Sequence, residues 1–369
     1  MKTSKEETMD IKDLIENGFK ISNIEHRGVH STMAIETLMA SLRAYFRTAG
    51  DLEYVYQKRP FLSMEGYETE DSFYGSSYII DSSDAIIHFQ HFLELFLKDI
   101  LLDVSQLMVY DPNRNPELLY KMATGVKVSD EELTGIKYVE FSDAIKRVKM
   151  MLKKGYLDAV YSFIDKDALD MMECVNSLRN KIAHRGAFVL RYKALDELFG
   201  AHLLPFVVNV SGLDGFNHIL QTNVADSSYS PIQSLVAAYA KGSVNEYEIA
   251  MHKIVAVAAD RNQIRYGLEK FGFDFYKEIR QKSEKVAEME ARHEWAEVVK
   301  CPVCGCETLV KYTTCDDAED NDGNIIERVE YVYMVKCHQC GFTLKDWLIG
   351  HMDEFSTIVP NYKEIKVYK

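Results

Sequence analysis

At 369 residues with an apolar fraction of 47%, the chain has ample material for a buried core and enough length for two or three structural units. Its 57 acidic and 43 basic residues leave a net charge of −14, which excludes a surface coated in positive charge for unspecific nucleic-acid binding; any nucleic-acid site has to be a local patch. No apolar run approaches a membrane span, and the amino terminus MKTSKEETMDIKDLIENG lacks the apolar centre of a secretion signal, so the expectation is a cytoplasmic protein with reduced thiols and no membrane partner.

Only 7 prolines leave room for long helices. Residues 10 to 50 read as helical pieces, among them STMAIETLMASLRAYFRTAG, with Ser31 and Thr32 as caps and Gly50 as a stop. Residues 60 to 80, rich in Gly, Ser and aromatics, read as loop or short strand. A helix is expected from Asp81 in DSSDAIIHFQHFLELFLKDILLDV, where Ser82, Ser83 and Asp84 are capping types. On its projection Ile86, Phe89, Phe92, Leu93, Phe96, Leu97 and Ile100 form a broad apolar face. Asp84, His88, His91, Glu94 and Lys98 share a narrower polar stripe, so the helix is expected to be buried on most sides with a polar seam. After the loop DPNRNPE comes a helix in YVEFSDAIKRVKMMLKKGY, capped at Ser142. Another runs from about Lys166 through LRNKIAHRG. Residues 192 to 290 are mostly helical, broken near SGLDGFN and NVADSSYSP. The charged stretch DFYKEIRQKSEKVAEMEARHEWAEVV reads as an exposed spacer helix.

Four of the 7 cysteines fall into two pairs, CPVCG with Cys301 and Cys304, and CHQCG with Cys337 and Cys340. Each CxxC sets two thiolates on one side of a tight turn, and the following Gly lets the backbone wrap. Together they supply the four soft ligands of a closed tetrahedral zinc site, which is structural because no position is left for water. The long insert between the pairs alternates apolar and polar residues on both sides of DNDGN, a hairpin signal, so the expectation is a small β zinc ribbon with an acidic tip. Cys306, Cys315 and His338 are spare donors and are read as bystanders.

The segment LRNKIAHRG, residues 178 to 186, poses a different question. Asn180 and His184 stand one turn apart and share a side of the helix, while Arg179 borders the apolar face of Met171, Met172, Val175, Leu178 and Ile182. At ~100° per residue Arg179 and His184 point about 140° apart, so one site can use both only if Gly186 ends or bends the helix near His184, or if the ligand lies across the helix edge. Spacing alone favours the plainer reading: Lys181, His184 and Arg185 are cations at a helix carboxyl end, where the macrodipole favours them. Between Glu173 and Tyr192 the chain is locally basic, with Arg179, Lys181, Arg185 and Arg191 against Glu173 alone, and KRVKMMLKKG adds Lys146, Arg147, Lys149, Lys153 and Lys154.

With the long upstream helix HFQHFLELFLKDIL and the helical pair between, Arg179, Asn180 and His184 resemble the HEPN domain family, marked by an Arg, then four to six intervening residues, then a His. The resemblance covers roughly residues 76 to 205. It implies a HEPN-like helical bundle over 76–205; with the helical amino-terminal region (1–75), the helical extension and spacer helix (206–296) and the zinc ribbon with its tail (297–369) read from the residues, the chain is expected to be mainly α. Many HEPN proteins are metal-independent ribonucleases that act as dimers with facing motif helices. The resemblance therefore implies an RNA substrate, a homodimer with a composite site, and a toxin or anti-phage defence role held in check by a trigger or inhibitor protein. It assigns Arg179, Asn180 and His184 to catalysis. Glu94, on the polar seam, is the candidate for the carboxylate that some members use to orient the Arg or His; an i,i+4 pair with Lys98 is its plainer reading. His88 and His91 are read as core or interface histidines. The other reading of the chain is a non-catalytic module that binds RNA, a nucleotide or a partner protein.

Overall fold

The computed structural model describes residues 29–58, 70–111, 115–133, 136–185, 188–216, 219, 230–242, 245–270, 275–293, 295–320, 323–354 and 359–368. The chain is mainly helical, with a small antiparallel sheet near its carboxyl end. The helices expected before residue 29, the start of the stretch from 60 to 80, and Gly186 lie outside the described residues.

Helix α1 (Val29–Arg47) packs along α3 (Ser76–Val104), with a 3₁₀ turn (Thr48–Asp51) and the short α2 (Leu52–Lys58) leading away from it. Small residues let the two long helices approach closely. Ser41 donates its hydroxyl to the Ala85 carbonyl at 2.6 Å, and both residues are fully buried. Glycine and proline are absent from α3, and its seven expected core residues, from Ile86 to Ile100, are all buried. Burying each Phe of that face contributes roughly 1.5–3 kcal/mol.

The helix starts earlier than its capping residues suggest. It begins after Gly75, so Ser82, Ser83 and Asp84 lie in its interior, and the buried Ser82 hydroxyl turns back to the Ile79 carbonyl at 3.2 Å. Likewise α1 begins at Val29, which puts Ser31 and Thr32 inside its first turn. The helix expected to cap at Ser142 begins at Phe141 behind Glu140, with no side-chain cap. In α3, packing along α1 carries the helix beyond its strongest local start signal.

A two-stranded ribbon, β1 (Tyr110–Asp111) and β2 (Lys137–Tyr138), brackets α4 (Pro116–Thr124) and α5 (Asp130–Leu133). Next come α6 (Phe141–Lys154) and α7 (Lys166–Arg185), both packed on α3. Helix α8 (Tyr192–Glu197) passes through a π-helical turn (Leu198–Leu203) into α9 (Leu204–Val210). Gly200 in that turn meets α10 (Pro231–Ala240): a Cβ there would stand 2.0 Å from the Tyr239 ring, so only Gly allows this approach. Helix α11 (Glu246–Lys270) packs on α1 and α10. No helix of the described residues is long and apolar enough to cross a membrane.

The sheet runs β3 (Ala296–Val299), β4 (Leu309–Glu319), β5 (Ile325–Cys337), β6 (Thr343–Lys345), with β7 (Ile365–Tyr368) also on β5; a short α13 (Asp346–Ile349) follows β6. The hairpin expected at DNDGN is present, with Glu319 opposite Ile325 and the Asp320 amide bonded to the Asn324 carbonyl at 2.9 Å. The expected spacer helix is shorter than read, and its described residues are largely exposed, as expected. Helix α12 (Phe275–Glu290) stops before β3, and Ser283 and Ala287 are buried where it meets the sheet. Its Ser283 hydroxyl donates to the His338 carbonyl at 3.1 Å. Stacking of Tyr56 on Trp347 (5.3 Å between centroids) and of Tyr247 on His351 (3.7 Å) joins the sheet region to the helical body.

Candidate active site and four-cysteine centre

Two CxxC turns converge at the base of the β4–β5 hairpin. Cys301 and Cys340 stand 3.7 Å apart at sulfur, Cys304 and Cys337 3.6 Å, and all four sulfurs lie within 4.8 Å of one another. A tetrahedral ion with bonds of about 2.3 Å to sulfur needs sulfurs about 3.8 Å apart, so the spacing fits. Gly305 and Gly341, both at positive φ, donate their amides to the Cys301 and Cys337 carbonyls and close the two turns. Hydrogen bonds first from Cys301, then Cys304 and Cys340, hold the Cys337 thiol far below its ordinary value; bonding to Cys301 pushes Cys304 up to about 12. The Thr308 hydroxyl, 3.2 Å from the Cys337 sulfur, adds a further donor to that thiolate. Four cysteines thus stand ready to bind a metal ion, in an arrangement compatible with structural zinc.

None of the spare donors belongs to the set of four, although Cys306 touches it. Cys306 bonds to the Cys304 carbonyl, and Cys315 sits on β4 opposite Glu330. The His338 ring faces Glu290 of α12 at 3.0 Å. That same Glu290 takes the Tyr312 hydroxyl, so His338 fixes the helix to the sheet.

A second group of polar side chains gathers where α3, α6 and α7 meet. Gln90 and Glu94 of α3, Glu140 and Ser142 at the amino end of α6, and Asn176, Arg179 and Asn180 of α7 line a cleft of about 270 Å³. Arg179 is half-buried, as expected at the border of an apolar face where Met172, Val175 and Ile182 are buried. Its Nη1 donates to the Asn180 Oδ1 at 3.1 Å, while its buried Nε has no hydrogen-bond partner among the described residues. Across the cleft Glu94 accepts from Lys98 Nζ at 2.6 Å and from Gln90 at 3.3 Å. Its i,i+4 partner is therefore in place, and it bonds along its own helix while sharing a cleft with Arg179. Burial lowers the neighbouring His91 below its ordinary value, opposed by Glu94 and assisted by His88, Lys98 and Arg179.

His184 is not brought to this cleft. It is exposed on the last turn of α7 and is absent from the cleft lining, as the angular offset from Arg179 requires. The local basic patch is also smaller than its residue count. Arg191 is clamped by Asp71 through bonds of 2.7 and 2.9 Å, and Arg147 donates to the Met108 carbonyl at 2.8 Å. Lys149, Lys153, Lys154 and Lys181 are exposed. Asn176 was legible in retrospect, one turn before Asn180 on the same face; the amino end of α6 was not, because only the packing of three helices brings it there.

The family models, the curated proteins and the solved structures contain no match to this chain.

Proposed function

We propose that this chain is a metal-independent endoribonuclease of the HEPN type, acting as a homodimer in the cytoplasm, in a toxin or anti-phage defence role. The observation that carries the reading is Arg179, a half-buried cation whose Nε lacks a partner among the described residues, set beside Asn180 in a cleft with Glu94. Such a guanidinium is positioned to take a phosphate, and its charge-assisted bonds strengthen as negative charge builds on phosphorus. In RNA cleavage the 2′-hydroxyl attacks the adjacent phosphorus once a base removes its proton, the phosphorus–5′-oxygen bond breaks, and an acid protonates the departing 5′-oxygen. His184 supplies proton transfer near neutral pH. Asn180 holds the Arg179 fork, and Glu94, with Lys98, sets the charge on the opposite wall. Because His184 is exposed and does not line the cleft of its own chain, the reading requires a second copy to bring its His184 to the first copy's Arg179. The four cysteines hold a structural zinc ion that stabilises the ribbon and takes no part in the chemistry.

The test is cleavage of total RNA by purified protein in EDTA, with bound zinc measured in the same sample, beside Arg179→Ala and His184→Ala. Cleavage by wild type that both substitutions abolish supports the proposal. Cleavage or cellular toxicity that survives both substitutions removes it. A wild type that binds RNA through Arg179 yet never cuts, alone or co-expressed with candidate triggers, points to the non-catalytic module.

A further inference from the structure

A second cleft, of about 520 Å³, opens where the helical body meets the second cysteine turn. Its floor is apolar, built from Phe46, Ala49, Ile254, Val257 and Leu348. Three cations and three carboxylates ring it, and four of these six are spent on one another. Arg47 donates twice to Asp81, at 3.0 and 2.7 Å, and Lys345 reaches Glu53 at 2.6 Å. Arg261 and Asp51 are left over. No hydrogen bond or ion pair joins Arg261 to another group among the described residues; its Nη1 lies against Gly341, where an added Cβ would come within 2.6 Å. Asp51, half-buried, accepts the Ser77 hydroxyl on Oδ1 and lines the cleft.

We propose that this cleft binds a nucleoside phosphate, with the phosphate on Arg261 and an N–H edge of the base on Asp51. Each feature selects part of that ligand. An unpaired guanidinium takes an anion through charge-assisted bonds. A desolvated carboxylate accepts from amino and ring N–H groups, and rejects a base that cannot donate because its acceptor is then left unmet. The apolar floor takes a flat ring, and the cavity falls in the range typical of small-molecule sites, ~300–1,000 Å³, much of which a free amino acid or inorganic anion leaves unfilled. The cleft is separate from the one around Arg179 and does not depend on the ribonuclease reading. Because its walls come from α11, the turn after α1 and the β6–α13 segment, an occupant bridges the helical body and the cysteine centre.

Isothermal titration of the full chain with ATP, GTP, CTP and UTP tests this, with inorganic pyrophosphate and the free nucleosides as controls. At least one nucleotide is expected to bind, and to bind more tightly than pyrophosphate or its own nucleoside. Arg261→Gln weakens it roughly ten- to a hundredfold. Asp51→Asn reduces the discrimination among bases, and Val257→Phe, which fills the floor, abolishes binding without unfolding the chain. Arg179→Ala binds as wild type. No binding of any of the four at millimolar concentration overturns the proposal. So does pyrophosphate binding as tightly as the nucleotides, or a loss that follows Arg179→Ala rather than Arg261→Gln.

Discussion

Two lysine–carboxylate pairs in the helical body have the same separation and opposite surroundings. Lys253 of α11 and Asp196 of α8 meet at 2.6 Å with the lysine side chain fully enclosed. Lys98 and Glu94 of α3 also meet at 2.6 Å, but the carboxylate forms part of a cleft wall. The sealed pair has its partners inside: the Lys253 ammonium lies 4.1 and 4.3 Å from the Tyr45 and Tyr192 ring centres and 3.0 Å from the Tyr192 hydroxyl. Burial pushes Asp196 up and Lys253 down, each opposed by the charge of the other. The open pair shares its cleft with Arg179, whose Nε has no partner among the described residues. Distance alone therefore does not tell a structural ion pair from a working one. What separates them is whether the pair is enclosed among its own partners or its carboxylate lines a cleft beside a second cation.

The largest effect expected from this contrast is on stability at the sealed pair. Asp196→Ala strands a buried ammonium and is expected to cost about 3–5 kcal/mol in urea unfolding. Joining Lys253→Met to Asp196→Leu removes both charges and is expected to recover most of that loss, since a buried pair is often matched by apolar residues of similar volume. A single-substitution cost below about 1 kcal/mol means that solvent reaches this pair and the contrast fails.

At the open cleft the effect is expected to move from stability to activity. Arg179→Ala removes a group whose buried Nε is unsatisfied, so unfolding free energy changes by no more than about 1 kcal/mol. RNA cleavage is expected to fall about 10²–10³-fold, the loss typical of removing one donor to transition-state charge. If Arg179→Ala costs as much stability as Asp196→Ala with no change in cleavage, the cleft is another structural polar cluster.

How far the sequence exposes these features follows from how local each one is. The apolar face of α3 was legible residue by residue because a period near 3.6 is carried by one segment. The cysteine centre was legible because each CxxC turn sets half of its geometry by itself. Helix starts were misplaced at Ser82–Asp84 and at Ser142, because burial against α1 and α3 prolongs the helices past residues that cap well in isolation. Lys253 and Asp196 were invisible, 57 residues apart and joined only by the packing of α8 on α11. The cleft was half legible: Glu94, Arg179 and Asn180 could be named from two helices, but Ser142 and Glu140 join them only through the docking of α6. His184, named beside Arg179 from the motif, is exposed and does not line the cleft that holds Arg179.

The smallest effect separates the two clusters by pH. His91 faces Glu94, His88 and Lys98 on its own helix and Arg179 on α7, and burial lowers it below 6.5, its ordinary value. A base held down in the folded state is protonated more readily once unfolded, so the unfolded chain binds the extra proton first as the solution is acidified. The contribution of His91 to stability is thus fully present above about pH 6.5 and is lost as the pH falls below it. Because His91 is only partly desolvated and keeps contact with solvent, the loss stays below about 1 kcal/mol. Urea midpoints from about pH 7.5 to 5 are expected to fall less steeply in His91→Gln than in wild type, the difference appearing only on the acid side. In Glu94→Gln, where the opposing carboxylate is gone, His91 is lowered further and the wild-type slope is expected to steepen. Parallel curves for wild type and His91→Gln mean that His91 is not desolvated, and that the polar seam of α3 is open to water along its length.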